Sequence, residues 1–197
     1  KQKEAYFHLS GALQQARKSH NALASYFAKG GLAFHHYHEG RLQEARDWIH
    51  QTAEEGQSSG LVHQYASPIV LETLFALHRQ RVLDMPHFDF YREFARIMRE
   101  PNVHLRGVAL RLRAVDAMGD DFAVDAVKTD LERSETYLKQ SGDPIQLGKT
   151  RLEMPRVKLQ TGEKDTAREL AERWPDSRFI LVTRDPHAWA RSVRKHM

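Results

Sequence analysis

The chain contains no cysteine, which excludes disulfides, thiolate nucleophiles and cysteine-ligated zinc and suits a reducing cytoplasm. No apolar run approaches the roughly 20 residues needed to cross a bilayer, so no membrane span is expected. Lys1-Gln2-Lys3-Glu4 opens inside a helical pattern with no signal-peptide core and reads as the start of an excised piece. A dominant charge sign is also missing. The 30 basic and 26 acidic residues leave +4, and they interleave instead of gathering on one element, so direct nucleic-acid binding is not expected. Strand patterning is nearly absent before Arg178.

What is present is helical periodicity. The 197 residues are 41% apolar and 28% charged, enough for one ordinary domain or one short solenoid. Leu105, Val108, Ala109, Leu112 and Val115 recur at the spacing of one helix face, as do Phe90, Phe94, Ile97 and Met98. The breaks fall at Glu39-Gly40, Asp84-Met85-Pro86, Glu100-Pro101, Gly119-Asp120, Ser141-Gly142-Asp143-Pro144 and Thr161-Gly162. The pattern predicts helices near 2–18, 21–38, 42–56, 60–79, 87–99, 102–118, 121–140, 144–161 and 164–173. Ser67-Pro68 carries a helix-start signal, with serine as cap and proline where its missing N–H costs nothing.

The breaks also repeat. Leu32-Ala33 is followed by Gly40-Arg41-Leu42-Gln43-Glu44-Ala45 and Ile49, and Met154-Pro155 by Gly162-Glu163-Lys164-Asp165-Thr166-Ala167 and Ala171. A large-small pair, a turn glycine and a small residue five places later resemble the tetratricopeptide pattern. The glycine relieves the inter-helix turn, and the small residues let paired helices approach. Degenerate copies turn at Leu83–Pro86 and at Gly119–Phe122. The turn glycines Gly40, Gly119 and Gly162 lie 79 and then 43 residues apart. One cryptic turn between the first two gives a period of about 40, longer than the usual 34. Such irregular repeats, and Tyr137–Leu147 with Arg151-Leu152-Glu153-Met154 in particular, resemble the sensory solenoids of large bacterial transcription regulators over residues 20–173. The expectation is an all-α fold: a right-handed helical-repeat solenoid of antiparallel helix pairs over residues 1–175. Pro155 departs from the repeat and should kink or break its helix.

Residues 176–197 are different. Arg178-Phe179-Ile180-Leu181-Val182-Thr183 has a buried-strand pattern, so one short strand near 179–183 is allowed. Arg184-Asp185-Pro186 and a helix-like Ala188–Val193 follow. The segment resembles the 3′-phosphate motif of sulfotransferases, which implies that Arg184 and Ser192 converge on one phosphate of a sulfate-donor nucleotide. Residues 1–175 offer helices where that family needs a glycine-rich phosphosulfate loop and a parallel sheet. The tail is therefore expected to be a chance likeness or a connecting segment, with a truncated or fused sulfotransferase as the alternative.

Other motifs have bland explanations. Gly148-Lys149-Thr150 imitates the end of a phosphate loop, but Asp143 stands where the first glycine is required, and the period is helical. His35, His36 and His38 with Glu39 are the densest histidine stretch. His35 and His38, one turn apart, could share a metal with Glu39, yet no third strong ligand on another helix has matching spacing, which leaves a groove-facing polar cluster. The pairs Asp120-Asp121 and Glu54-Glu55 read as solvated turn and helix-end residues.

Registering the repeats on their turn glycines places Phe27, Phe34, Tyr37, His38, Arg106, Arg113, Asp116 and Arg156 on a concave groove. An aromatic patch flanked by arginines suits a protein or peptide segment or a small acidic ligand. Packing of the same rings between repeats is the equal alternative. The expected function is a non-catalytic, cytoplasmic scaffold, the sensory part of a bacterial regulator, compatible with a homodimer and needing no cofactor or metal.

Overall fold

A computed structural model describes residues 2–58, 67–82, 89–118 and 123–162. Among these residues every regular element is an α-helix, so the described part of the chain is all-α as the periodicity requires. The helices are α1 (Gln2–Lys18), α2 (Ala22–His38), α3 (Leu42–Ser58), α4 (Pro68–Arg79), α5 (Phe90–Arg99), α6 (Val103–Ala117), α7 (Val124–Ser141) and α8 (Pro144–Gln160). The chain divides into two compact units after Arg96. The expected helix at 164–173, the strand at 179–183, and Arg184 and Ser192 lie outside the described residues.

Local chemistry explains the boundaries. The Asn21 side chain accepts the Ala24 N–H, Asn102 accepts that of Leu105, and Asp143 accepts those of Ile145 and Gln146, each satisfying orphan donors of a first turn. Gly40, Gly142 and Gly162 have φ of 75°, 70° and 83°, the left-handed conformation that a tight helix stop needs. Ser67 occupies the cap position of α4 with Pro68 behind it, but its side chain makes no capping bond. That corrects the serine's expected role: proline's preset φ is what starts the helix. Of the expected span 60–79, residues 60–66 are outside the described residues. Pro155 neither breaks nor divides its helix, for α8 runs through it.

In the first unit, α2 is the central helix. Three-residue connections join it to α1 and α3, so both neighbours run antiparallel to it, and α4 packs on it as well. The α2–α3–α4 core consists of Tyr26, Ala33, Ala45, Ile49, Ala53, Val70, Leu74 and Leu77. Leu13, Ala28 and Leu32 close the α1–α2 seam. A close approach explains the paired glycines: a Cβ on Gly30 would stand 2.5 Å from Val70 Cγ2, and one on Gly31 would stand 2.5 Å from Leu9 Cδ2. Adjacent residues point about 100° apart, so α4 and α1 each press against bare backbone on one turn of α2. The Phe90 ring of α5 adds to this unit at 4.7 Å from Phe75.

In the second unit, α7 lies between α6 and α8. Gly107 is joined to Ser134 and Arg113 to Asp130, rising numbers against falling ones, so α6 and α7 are antiparallel. Ala114, Val127, Leu131 and Val157 form an apolar cluster. Beside it runs a buried polar seam. Ser134 Oγ donates to the Gly107 carbonyl at 2.7 Å and lies 3.0 Å from Thr150 Oγ1. Arg111 Nη2 donates to Gln146 Oε1 at 2.8 Å. Arg111, Ser134, Thr150 and Glu153 are all fully buried.

Candidate functional site

The expected groove residues of the first unit lie on α2. Positions 23, 27, 34, 37 and 38 fall within one side of a helix of 3.6 residues per turn. The exposed end of that stripe is Leu23 and Phe27, each 51% accessible. Phe27 meets Tyr26 edge-on, and Tyr26 itself is buried. The other end is more committed. Phe34 and His38 rings stand 4.2 Å apart edge to face. Tyr37 packs against the α2–α3–α4 core, and its hydroxyl accepts a hydrogen bond from Gln80 Nε2 at 3.0 Å. The stripe therefore changes from open apolar surface to core wall along its length.

The histidines do not form one groove-facing cluster, contrary to expectation. His35 and His36 are buried, with the Tyr6 ring of α1 at 5.5 Å and 5.8 Å from them, whereas His38 sits with Phe34 and Tyr37. Consecutive helix residues diverge, so His35 and His36 are carried under α1. His35 Nε2 lies 3.3 Å from Glu39 Oε1. Burial, then the fields of Arg41 and His35, lower the His36 pKa below the ordinary imidazole value. Among the described residues no group of three histidine or carboxylate side chains is placed to hold a metal ion.

In the second unit the expected groove residues make bonds within the protein. The Arg113 guanidinium forks onto Asp130, with Nε 2.6 Å from Oδ2. The Arg106 guanidinium stands 5.9 Å from the centroid of the Tyr137 ring. Arg156 pairs at 2.9 Å with Glu153, a carboxylate of zero accessibility. Asp116 is half-buried. These arginines tie α6 to α7 and brace α8.

Further arrangements were hidden in the sequence, read differently there, or read there as decoys. Glu55, expected to be a solvated helix-end residue, is half-buried and bonded to Lys29 and Ser25 of α2. The hydrogen bond from Lys29 outweighs burial and holds its carboxyl below the ordinary carboxylate value. Glu135 is partly buried, which raises its pKa, but hydrogen bonds from Arg151 and Lys139 prevail and the net shift is downward. The Gly148-Lys149-Thr150 decoy lies in the middle of α8, with Thr150 buried in the polar seam, so no phosphate loop exists there. Nothing in α6 alone marks Arg111 for burial, because its partner Gln146 is 35 residues away.

The comparison with known families adds one finding. A family described as a sulfotransferase domain matches residues 161–197. The match contains the Arg178–Val193 motif and begins at the residue that caps α8. The C-terminal likeness to sulfotransferases thus extends upstream of the motif itself. No curated protein and no solved structure matches the chain.

Proposed function

We infer that the helical units are an interaction scaffold of tetratricopeptide-like type that binds a protein segment or small ligand. In this reading they serve as the sensory part of a larger bacterial regulator working in the cytoplasm. The carrying observation is the α2 stripe: a helix clamped by three neighbours that still leaves Leu23 and Phe27 half accessible. A rigid support for exposed apolar anchors is what peptide recognition requires. The stripe lies within the first unit and suits an apolar segment. A peptide selected on the wild-type chain from a random display library tests the reading. Its affinity should fall by about 30-fold in Phe27→Ala, equivalent to the roughly 2 kcal/mol of an aromatic anchor. Unchanged affinity in both Phe27→Ala and Phe34→Ala overturns it.

The second reading is favoured by the family match at residues 161–197. There the helices precede or decorate a sulfotransferase, and Arg184 and Ser192 bind the 3′-phosphate of a sulfate-donor nucleotide. Calorimetry with that nucleotide separates the two. Micromolar binding abolished by Arg184→Ala makes the chain part of a transferase, and no binding leaves the scaffold reading in place.

A further inference from the structure

A cleft of about 360 Å³ opens in the first unit where α1 meets α2 and α3. Its floor is apolar. Leu13 and Leu32 are buried there, and the half-buried Trp48 packs against their cluster. Along its α1 side run Tyr6, Ser10, Gln14 and Arg17, spaced by four, four and three residues and therefore on one helix face. Lys18 joins Arg17 at the end of the cleft.

The polar groups around this floor are uncommitted. Among the described residues, the exposed side chains of Arg17 and Lys18 form no ion pair or hydrogen bond, and those of Ser10, Gln14 and Trp48 bond to no other protein group. The field of Arg17 reaches Glu55, but Glu55 has its own cation in Lys29. The last turn of α1 favours cations in general. That preference does not account for an apolar floor or for the tryptophan beside it.

We propose that this cleft binds a small aromatic anion, a carboxylate or sulfonate on one or two rings. The volume is at the small end of the roughly 300–1,000 Å³ of organic-ligand sites, so it fits such a body and not an extended chain. Trp48 and Tyr6 supply aromatic surface for the rings. Arg17 offers a planar fork to an acidic group, and Lys18 adds a second positive charge. The site is separate from the α2 stripe, since neither Leu23 nor Phe27 lines it.

The test uses naphthalene-1-sulfonate as the probe, titrated into the full chain labelled with nitrogen-15. The Trp48 indole resonance should shift and saturate. An uncharged analogue, 1-naphthalenemethanol, should bind about tenfold more weakly, the loss expected when a charge-assisted contact is removed. The double variant Arg17→Gln/Lys18→Gln should weaken the sulfonate by about tenfold or more on the same grounds. No Trp48 shift at millimolar probe overturns the proposal. So does equal binding of sulfonate and alcohol, or undiminished sulfonate binding in the double variant. The comparison of the two probes on the wild-type chain decides the matter even if the double variant folds poorly. A negative result here leaves the peptide test on Phe27 unaffected.

Discussion

Arg113 on α6 grips Asp130 on α7 with both arms of its guanidinium, and Asp130 is 8% accessible. A bidentate, largely desolvated fork of this kind is stronger than an exposed pair, because its geometry is fixed and screening is reduced. A residue expected to wait for a ligand is thus already part of the frame. Arg113→Ala should destabilise the chain by about 1–3 kcal/mol, since it leaves a buried carboxylate without its donor. Urea unfolding of Arg113→Ala, Asp130→Ala and the double variant measures it. A coupling energy near zero would show that the fork is worth no more than a surface pair.

The α2 stripe should divide under mutation as its burial divides. Phe27→Ala should change stability by less than about 0.5 kcal/mol, as expected for a surface position. Tyr37→Ala loses core packing and the bond from Gln80, and should cost about 2–4 kcal/mol. Leu112→Ala, at 3% accessibility, is the reference for a core truncation at about 2–5 kcal/mol. Thermal melts of the three rank them. If Phe27→Ala unfolds the chain as readily as Leu112→Ala, the exposed end of the stripe is core after all.

Glu55 predicts a pH dependence of definite sign. Its carboxyl lies below the ordinary value of 4.5 because Lys29 and Ser25 bond the charged form. A carboxylate with a depressed folded pKa stabilises the fold fully above its unfolded pKa, and that stability is lost as pH falls through the folded one. The chain should therefore weaken on acidification below about pH 4.5, and Glu55→Gln should flatten that slope while lowering stability at pH 7. Denaturant midpoints of wild type and variant between pH 7 and pH 3 check it. Parallel curves would remove Glu55 from the account.

Pro155→Ala sets two effects against each other. The helix is continuous, so alanine restores a backbone donor and regains up to about 3 kcal/mol of propensity. Pro155 is also buried, so losing its ring gives back about 1–2 kcal/mol of apolar burial. The net expectation is a gain of about 1 kcal/mol, read as a rise of several degrees in melting temperature. A fall would show that α8 is shaped around the ring.

Most helix ends were legible in the sequence because their signals are local. Asn21, Asn102 and Asp143 each bond an amide within three residues, and Gly142 supplies its own left-handed turn. Burial within a helix was less legible. His35 and His36 look like a polar patch until Tyr6, nearly thirty residues earlier, covers them. Arg111 and Glu153 look like solvated helix faces because nothing in their own helices reveals the neighbour that encloses them. The stripe at Phe27 and Phe34 was readable as a stripe, since helical spacing alone defines it. How far each ring is exposed depends on where α1 and α4 cross α2, and that follows from Gly30 and Gly31 acting with residues far along the chain.

The polar seam between α6, α7 and α8 has one more consequence. Apolar side chains tolerate sliding, because a leucine displaced by a turn meets another apolar surface of similar worth. Hydroxyls and a guanidinium do not. A one-turn slip of α8 moves it about 5.4 Å, which takes Thr150 away from Ser134 and Gln146 away from Arg111. A hydrogen bond to a buried charged group is worth about 1.5–3 kcal/mol, a loss that apolar contacts re-formed after the slip do not suffer. The seam thus acts as a registration key. It adds little depth to the folded state, but it singles out one alignment of the three helices from a ladder of near-equivalent ones, and it fixes where the C-terminal end of α8 delivers the chain to residues 161–197.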